Sequence, residues 1–208
     1  MYLYSNLNSK TNKHPISFFE MKIQGINQEV IEIINDKAVL QTTLQYISKE
    51  NVVGFDLQCI QRNSQKVPCW IQIASNKIIL IIRTLGVFPE RKRDDTQVSM
   101  FILIREFLED TNTVKVGVGI SGDASTLSQY GIELARYLDI QWLAHKSPNF
   151  INQDSLQSNL ANNPKYHPKI GLKYLSRIIL GVDSHPQHNG RWEVIIIICI
   201  VCTFCSVK

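Results

Sequence analysis

The chain has 208 residues, 44% hydrophobic and 19% charged, with 22 Lys and Arg against 18 Asp and Glu for a net charge of +4. That composition excludes whole-chain disorder and a fibrous repeat, and the length allows one domain whose core needs neither disulfide nor metal to hold it. So small a basic excess tolerates nucleic acid without demanding it, because such binding rests on a concentrated patch.

Taken in chain order, residues 1–15 are rich in Asn, Lys and Ser and hold no apolar h-region. No secretory signal peptide is expected, and 1–20 reads as a disordered N-terminus. Residues 21–25 and 29–34 read as a pair of short strands around Asn27-Gln28. Asp36 offers an N-cap to a helix in which Val39, Leu40, Leu44 and Ile47 recur at helical spacing up to Glu50. Residues 51–58 follow as a strand, a polar hairpin-like stretch spans 61–66, and 69–74 and 77–82 are two more strands.

The charge run at 91–95 reads as a solvated loop. Residues 100–108 predict an apolar-faced helix, 114–119 a strand, and 123–130 a short helix stopped by Gly131. The stretch 138–144 is short and mixed. Residues 149–169, rich in Asn, Pro, Ser and Gln, read as a long irregular surface segment, and 171–180 as a closing helix ended by Gly181. Strands first and strand–helix alternation afterwards define an α/β domain with a mixed sheet, without internal repeat or second domain.

Five cysteines, an odd number, point to a reducing compartment, hence an intracellular protein of nucleus or cytoplasm. Cys59 and Cys69 have apolar neighbours and read as small buried hydrophobes. Residues 194–207 form an apolar run closed by Lys208, short of the roughly 17–25 residues of a membrane-spanning helix. The run is β-branched and charge-free, the profile of a buried strand or an aggregation-prone segment. Cys199, Cys202 and Cys205 stand in C-x2-C-x2-C spacing, but the fourth cysteine and proline of a ferredoxin-type run are missing. His145, His167, His185 and His188 do not fall at zinc spacing and read as loop residues.

Two short constellations carry chemistry. In V-V-G-F-D-L-Q at 52–58, the period of two puts Asp56 and Gln58 on one face of the strand. Two oxygen-bearing side chains there are costly to bury without a partner, and a hard cation is one natural partner. The bland alternative ends the strand at Asp56 with both side chains in water. In K-V-G-V-G-I-S-G-D at 115–123, a glycine-bearing turn leads from a strand to Asp123 at the start of a helix. That is the edge of an open α/β sheet where ligands gather. Its glycines match neither a dinucleotide fingerprint nor a phosphate loop, and the bland alternative makes Asp123 a plain helix cap.

Together these stretches resemble the DEDD 3′–5′ exonucleases, in their Werner-type and ribonuclease D-like branch. The resemblance covers about 21–193. It is carried by V-V-G-F-D-x-[E], W-I-Q-I-A-S at 70–75, K-V-G-V-G-I-x-G-D at 115–123, Leu138-Asp-Ile-Gln141 before Ala144, and G-L-K-Y-L…L-G-V at 171–182. It implies a ribonuclease H-like three-layer fold with a mixed central sheet. It also implies hydrolysis of a terminal phosphodiester by two Mg²⁺ or Mn²⁺ ions. Asp56 and Asp123 match the family's first-strand and second-motif metal ligands. Gln58 stands at the catalytic glutamate position.

Two departures accompany the match. Gln58 brings no negative charge where the family has one. Tyr-x-x-x-Asp, the third motif, is absent: Asp139, Asp154 and Asp183 follow Ala135, Phe150 and Ile179 at the four-residue spacing. Beyond Arg191-Trp192-Glu193 the composition changes abruptly, which predicts an incomplete C-terminal part and a foreign tail at 194–208. The expected activity is therefore exonucleolytic on DNA or RNA 3′ ends, single-stranded, with a weakened catalytic set. Lys66, Lys115 and Arg191 are candidate phosphate contacts. The rival expectation is a non-catalytic nucleic-acid-binding or interaction module that keeps the exonuclease fold. A weaker third is membrane association through the C-terminal run.

Overall fold

Val53, Phe55 and Leu57 alternate with Gly54, Asp56 and Gln58, and in an extended chain that alternation sends the two sets to opposite faces. The computed structural model describes residues 36–75, 77–85, 87–88, 95–142 and Leu175, together with the backbone of 17–23 and 26–33. The alternating segment lies in β3 (Val52–Arg62), a strand with neighbours on both sides. The other elements are β1 (Ser17–Ile23), β2 (Ile26–Ile33), α1 (Lys37–Ile47), β4 (Gln65–Ala74), β5 (Ile78–Arg83), α2 (Asp95–Glu109), β6 (Val114–Gly117), α3 (Ile120–Ser128) and β7 (Tyr137–Asp139).

The sheet runs β1-β2-β5-β4-β3-β6-β7. β3, β6 and β7 are mutually parallel, β2 is parallel to β5, and the β1–β2, β4–β5 and β3–β4 pairs are antiparallel. This is the mixed α/β sheet that the order of elements predicts. Phe55 pairs with Ile73 and Leu57 with Ile71, while β5 adds Leu80 and Ile82 to the same face. Leu40, Leu44 and Ile47 of α1, Met100, Ile104, Phe107 and Leu108 of α2, and Ile120 and Leu127 of α3 join them in one core. Burying such side chains contributes roughly 1.5–3 kcal/mol each. The other face carries Asp56 and Gln58 beside Gln72, with Ile79, Ile81 and Val116 buried.

Local signals explain most element ends. The Asp36 carboxylate accepts the Val39 N–H at 3.0 Å, the N-cap that opens α1. Asn63 and Ser64 have φ of 48° and 64°. Two consecutive left-handed residues make a turn whose twist matches that of antiparallel strands, so β3 and β4 extend to Arg62 and Gln65. The hairpin-like reading of 61–66 therefore contracts to a two-residue turn.

The first hairpin differs from expectation. Lys22 pairs with Asn27 and Ile23 with Ile26, so Asn27 and Gln28 belong to β2 and not to a turn. β-branched residues at both strand ends let the ladder run past them. α2 begins at Asp95, five residues before the expected start. Leu175 is helical and fully buried, in keeping with the helix read at 171–180. The stretches 149–169 and 194–208, and most of 1–20, lie outside the described residues. Among the described residues no helix is long and apolar enough to cross a membrane.

Lys115 corrects one reading. It pairs with Val53 on the core face, is wholly buried, and holds its ammonium 5.6 Å from the Phe107 ring centroid while donating to the Asp110 carbonyl. It cannot meet phosphate there. Burial lowers its pKa to about 8, with the Asp110 carboxylate opposing that shift and Arg136 adding to it. The folded state thus gives up a proton that the unfolded state keeps, so stability rises with pH between about 8 and the ordinary value of 10.5. Below pH 8 both states carry the charge and the full cost remains. Lys115→Met removes the cost, and its stability gain over the wild type should shrink by on the order of 1–3 kcal/mol from pH 7.5 to 10. Urea midpoints of both proteins at the two pH values check this; a constant difference would show that the burial cost is negligible.

Candidate functional site

Asp56 stands directly across the β3–β4 ladder from Gln72. Gln72 is 1% exposed, and its Nε2 donates to Asp56 Oδ2 at 3.2 Å. A buried amide nitrogen is costly unless hydrogen-bonded, so this bond satisfies the Nε2 group and orients the carboxylate together. Asp56 is therefore not a strand-end residue in water: β3 continues six residues beyond it. Gln58 lies two residues on, half-buried on the same face and paired with Trp70.

The ladder shifts register immediately after this pair. Gln58 pairs with Trp70 but Cys59 with Pro68, which leaves Cys69 as the extra residue of a bulge. Pro68 has no N–H to give a ladder, and a bulge is where a strand tolerates one. Cys69 turns its Sγ to the Gln58 carbonyl at 3.1 Å. The bulge thus sits beside the acidic position and kinks β4 there.

Asp123 comes from the β6–α3 junction. Gly117 ends β6 so close to β3 that a Cβ would stand 2.8 Å from the Phe55 carbonyl oxygen. Gly119 has φ of 71° and is the N-cap of α3, with no side chain to cap it. α3 starts at Ile120, so Asp123 lies in its first turn and does not open it. The left-handed glycine lets the chain turn earlier than the aspartate signal implied. A carboxylate in the first turn still gains from the helix dipole. Gly131, with φ of 75°, lies just beyond α3 as expected of a stop. The Asp139 carboxylate at the end of β7 accepts N–H groups from Gly119 at 3.1 Å and Gln141 at 2.9 Å.

One thiol registers both carboxylates. Burial pushes the Cys59 thiol up to about 11, with Asp123 the largest electrostatic contributor; Cys69 and Asp56 add to the rise and Lys66 opposes it. Lys66 is exposed at the start of β4, where its carbonyl accepts the Tyr130 hydroxyl of the segment after α3 at 2.8 Å. Burial also raises Cys69, so both body cysteines are inert thiols, in line with their sequence neighbours.

Among the described residues no group of three or more His, Cys, Asp or Glu side chains is arranged to hold a metal ion. Asp56 and Asp123 are hard oxygen donors with charge for one divalent cation, and Gln58 contributes an uncharged oxygen at most. Two carboxylates and one amide oxygen carry less negative charge than two divalent cations call for. Arg191 and the segments that follow Trp142, apart from Leu175, lie outside the described residues. Sequence reasoning gave Gln72 and Asp139 no role. Gln72 was legible, since a lone polar residue in C-W-I-Q-I-A must point away from Ile71 and Ile73, toward the face of Asp56.

The sheet and the α3 junction define a mixed α/β domain with acidic side chains on β3 and in the first turn of α3. The chain belongs to the 3′–5′ exonuclease family, whose profile matches residues 31–190. It is 30% identical over 128 residues to the Exonuclease 3′-5′ domain-containing protein 2 of Drosophila melanogaster, a match covering 57% of this chain and 20% of that protein. The chain thus spans about a fifth of that relative's length. The fold is ribonuclease H-like: Trypanosoma brucei RNase D superposes with a TM-score of 0.59 at 12% identity, over 85% of this chain and 65% of that one. The EXO domain of Aedes aegypti Nibbler superposes with a TM-score of 0.54 at 12% identity, over 85% of each chain.

If Asp123 is the main charge near Cys59, Asp123→Asn lowers the thiol pKa and speeds its alkylation. At pH 9 the iodoacetamide rate at Cys59, followed by peptide mass spectrometry, should rise about two- to fivefold. Asp56→Asn should give a smaller rise. An unchanged rate in Asp123→Asn would place that carboxylate away from β3.

Proposed function

We propose that this domain removes nucleotides from the 3′ ends of single-stranded DNA or RNA, with Asp56 and Asp123 holding a divalent cation, and that it does so weakly. What supports this is the family profile over residues 31–190, with Asp56 on β3 and Asp123 in the first turn of α3, the helix that packs beside that strand. Mg²⁺ or Mn²⁺ bound there would supply an acidified water and stabilise charge on the leaving oxygen.

The chain's own residues divide the remaining work. Gln72 fixes the plane of the Asp56 carboxylate through its Nε2–H. Asp123 brings the second negative charge from α3. Gln58 offers an oxygen without charge, which lowers affinity for a hard cation relative to a glutamate. Lys66, exposed on the hairpin, is available to a substrate phosphate. A second reading, a nucleic-acid-binding module without catalysis, is favoured by one observation: among the described residues no three His, Cys, Asp or Glu side chains are grouped to hold a metal ion.

The two readings separate in one assay. Single-stranded DNA and RNA oligonucleotides are incubated with the chain in Mg²⁺ or Mn²⁺, and loss of 3′-terminal nucleotides is followed beside Asp56→Ala. Slow, metal-dependent shortening that Asp56→Ala abolishes supports the exonuclease. Strand binding without shortening supports the module. Gln58→Glu adds an anion beside Asp56, and like charges repel until a cation sits between them. It should tighten Mn²⁺ by calorimetry about tenfold and raise the rate. A wild-type rate already at an ordinary enzymatic level would overturn the reasoning from ligand charge.

A further inference from the structure

Asp139 occupies a position that the proposed chemistry leaves unused. It pairs with Gly117 in the parallel β6–β7 ladder, which sets its side chain beside the turn leaving β6. One carboxylate oxygen, Oδ1, accepts two backbone N–H groups, from Gly119 at 3.1 Å and from Gln141 at 2.9 Å. Gly119 is the N-cap of α3 and is left-handed, with no side chain to accept any of the helix's first N–H groups. Its carbonyl takes the Gly122 N–H at 2.9 Å, so the residue whose N–H Asp139 holds is also the one on whose carbonyl the first turn of α3 closes. Asp123 is the next residue of that turn.

Gly119 has nothing around the place of its missing Cβ within 4 Å, so no side-chain contact at that position fixes its left-handed backbone. Below it Gly117 is locked against the Phe55 carbonyl. The chain between the rigid strand and the helix therefore depends on a hydrogen bond from outside, and Asp139 supplies it. A charged acceptor makes such a bond stronger than a neutral one would. Asp139 Oδ1 is already engaged by two backbone N–H groups, so its work here is on the backbone of the turn.

We propose that Asp139 is a positioning residue: it holds the entry of α3 and thereby sets where the Asp123 carboxylate stands. The consequence for metal binding rests on the exonuclease reading above; the holding of the turn does not. The carboxylate clamps a segment of five residues, Gly119 to Asp123, from a neighbouring strand. Its amide analogue keeps the acceptor oxygen, whereas glutamate keeps the charge and moves the oxygens one carbon further out.

The full chain is compared with Asp139→Asn, Asp139→Glu and Asp139→Ala by hydrogen exchange over peptides spanning 117–123, with α1 as the internal reference. Asp139→Asn should keep wild-type protection within about twofold. Asp139→Ala and Asp139→Glu should lose about five- to tenfold at 119–123 with α1 unchanged. Wild-type protection in Asp139→Ala overturns the proposal. If that variant does not fold, equal protection in Asp139→Asn and Asp139→Glu overturns it instead. Calorimetric titration with Mn²⁺ gives the second readout, expected about tenfold weaker in Asp139→Ala and restored in Asp139→Asn. Mn²⁺ bound equally by all forms would also overturn it. No Mn²⁺ binding by the wild type, with the exchange pattern intact, would sink the exonuclease reading and leave Asp139 as the clamp of α3.

Discussion

The whole arrangement depends on β3 burying one face in the core while carrying a carboxylate on the other, half-buried face. Phe55 and Leu57 are sealed under three helices, and Asp56 between them faces the other way, where Gln72 meets it across the ladder. The buried Gln72 Nε2 is offset by the Asp56 carboxylate, because an unpartnered amide N–H there costs on the order of 1–3 kcal/mol. Register is thereby fixed from two directions. A one-residue slip of β4 would expose Ile71 and Ile73 and carry Gln72 away from Asp56 together. Core and candidate site are set by the same pairing.

The second carboxylate reaches the site by a different route, through backbone rather than pairing. Gly117 allows β6 to approach β3 more closely than any side chain would permit, and Gly119 turns the chain into α3 with a left-handed peptide. Glycines give this freedom at the expense of rigidity. Asp139 restores the rigidity with two hydrogen bonds from β7. Asp56 is thus placed by a strand and Asp123 by a clamped turn. The first position is set by strand pairing, and the second by a helix packed through Ile120 and Leu127 whose entry is held by hydrogen bonds.

What could be read from the sequence follows the range of the forces involved. The α1 cap, the apolar stripe of α2, the strand at Asp56 and the mixed sheet are local patterns of period or capping, and each appears as such in the residues. The α3 start was misplaced because Asp123 is a strong cap signal while the left-handed state of Gly119 carries none. Asn27-Gln28 looked like a turn for its composition, yet Ile23 and Ile26 pair beyond it. Lys115 looked like a surface charge because its burial comes from Phe107 and Asp110, partners that no short window around it identifies with that face. Asp139 and Gly119 are twenty residues apart, a contact that only the parallel β6–β7 ladder creates.

Electrostatics around Cys59 then bear on what such a site can attract. The chain as a whole is positive by four charges, yet at this thiol Asp123 and Asp56 raise the cost of forming an anion, against opposition from Lys66. The local field and the global charge therefore have opposite signs. A negative locus concentrates cations, and a basic exterior favours the approach of a polyanion. On the proposed reading, a cation and a polyanion need separate places on the domain. The carboxylates stand on a β-strand and on the first turn of a helix, while Lys66 lies out on the exposed hairpin. With an amide at Gln58 in place of a carboxylate, the β3 face carries one charge fewer, which weakens any pull on a hard cation.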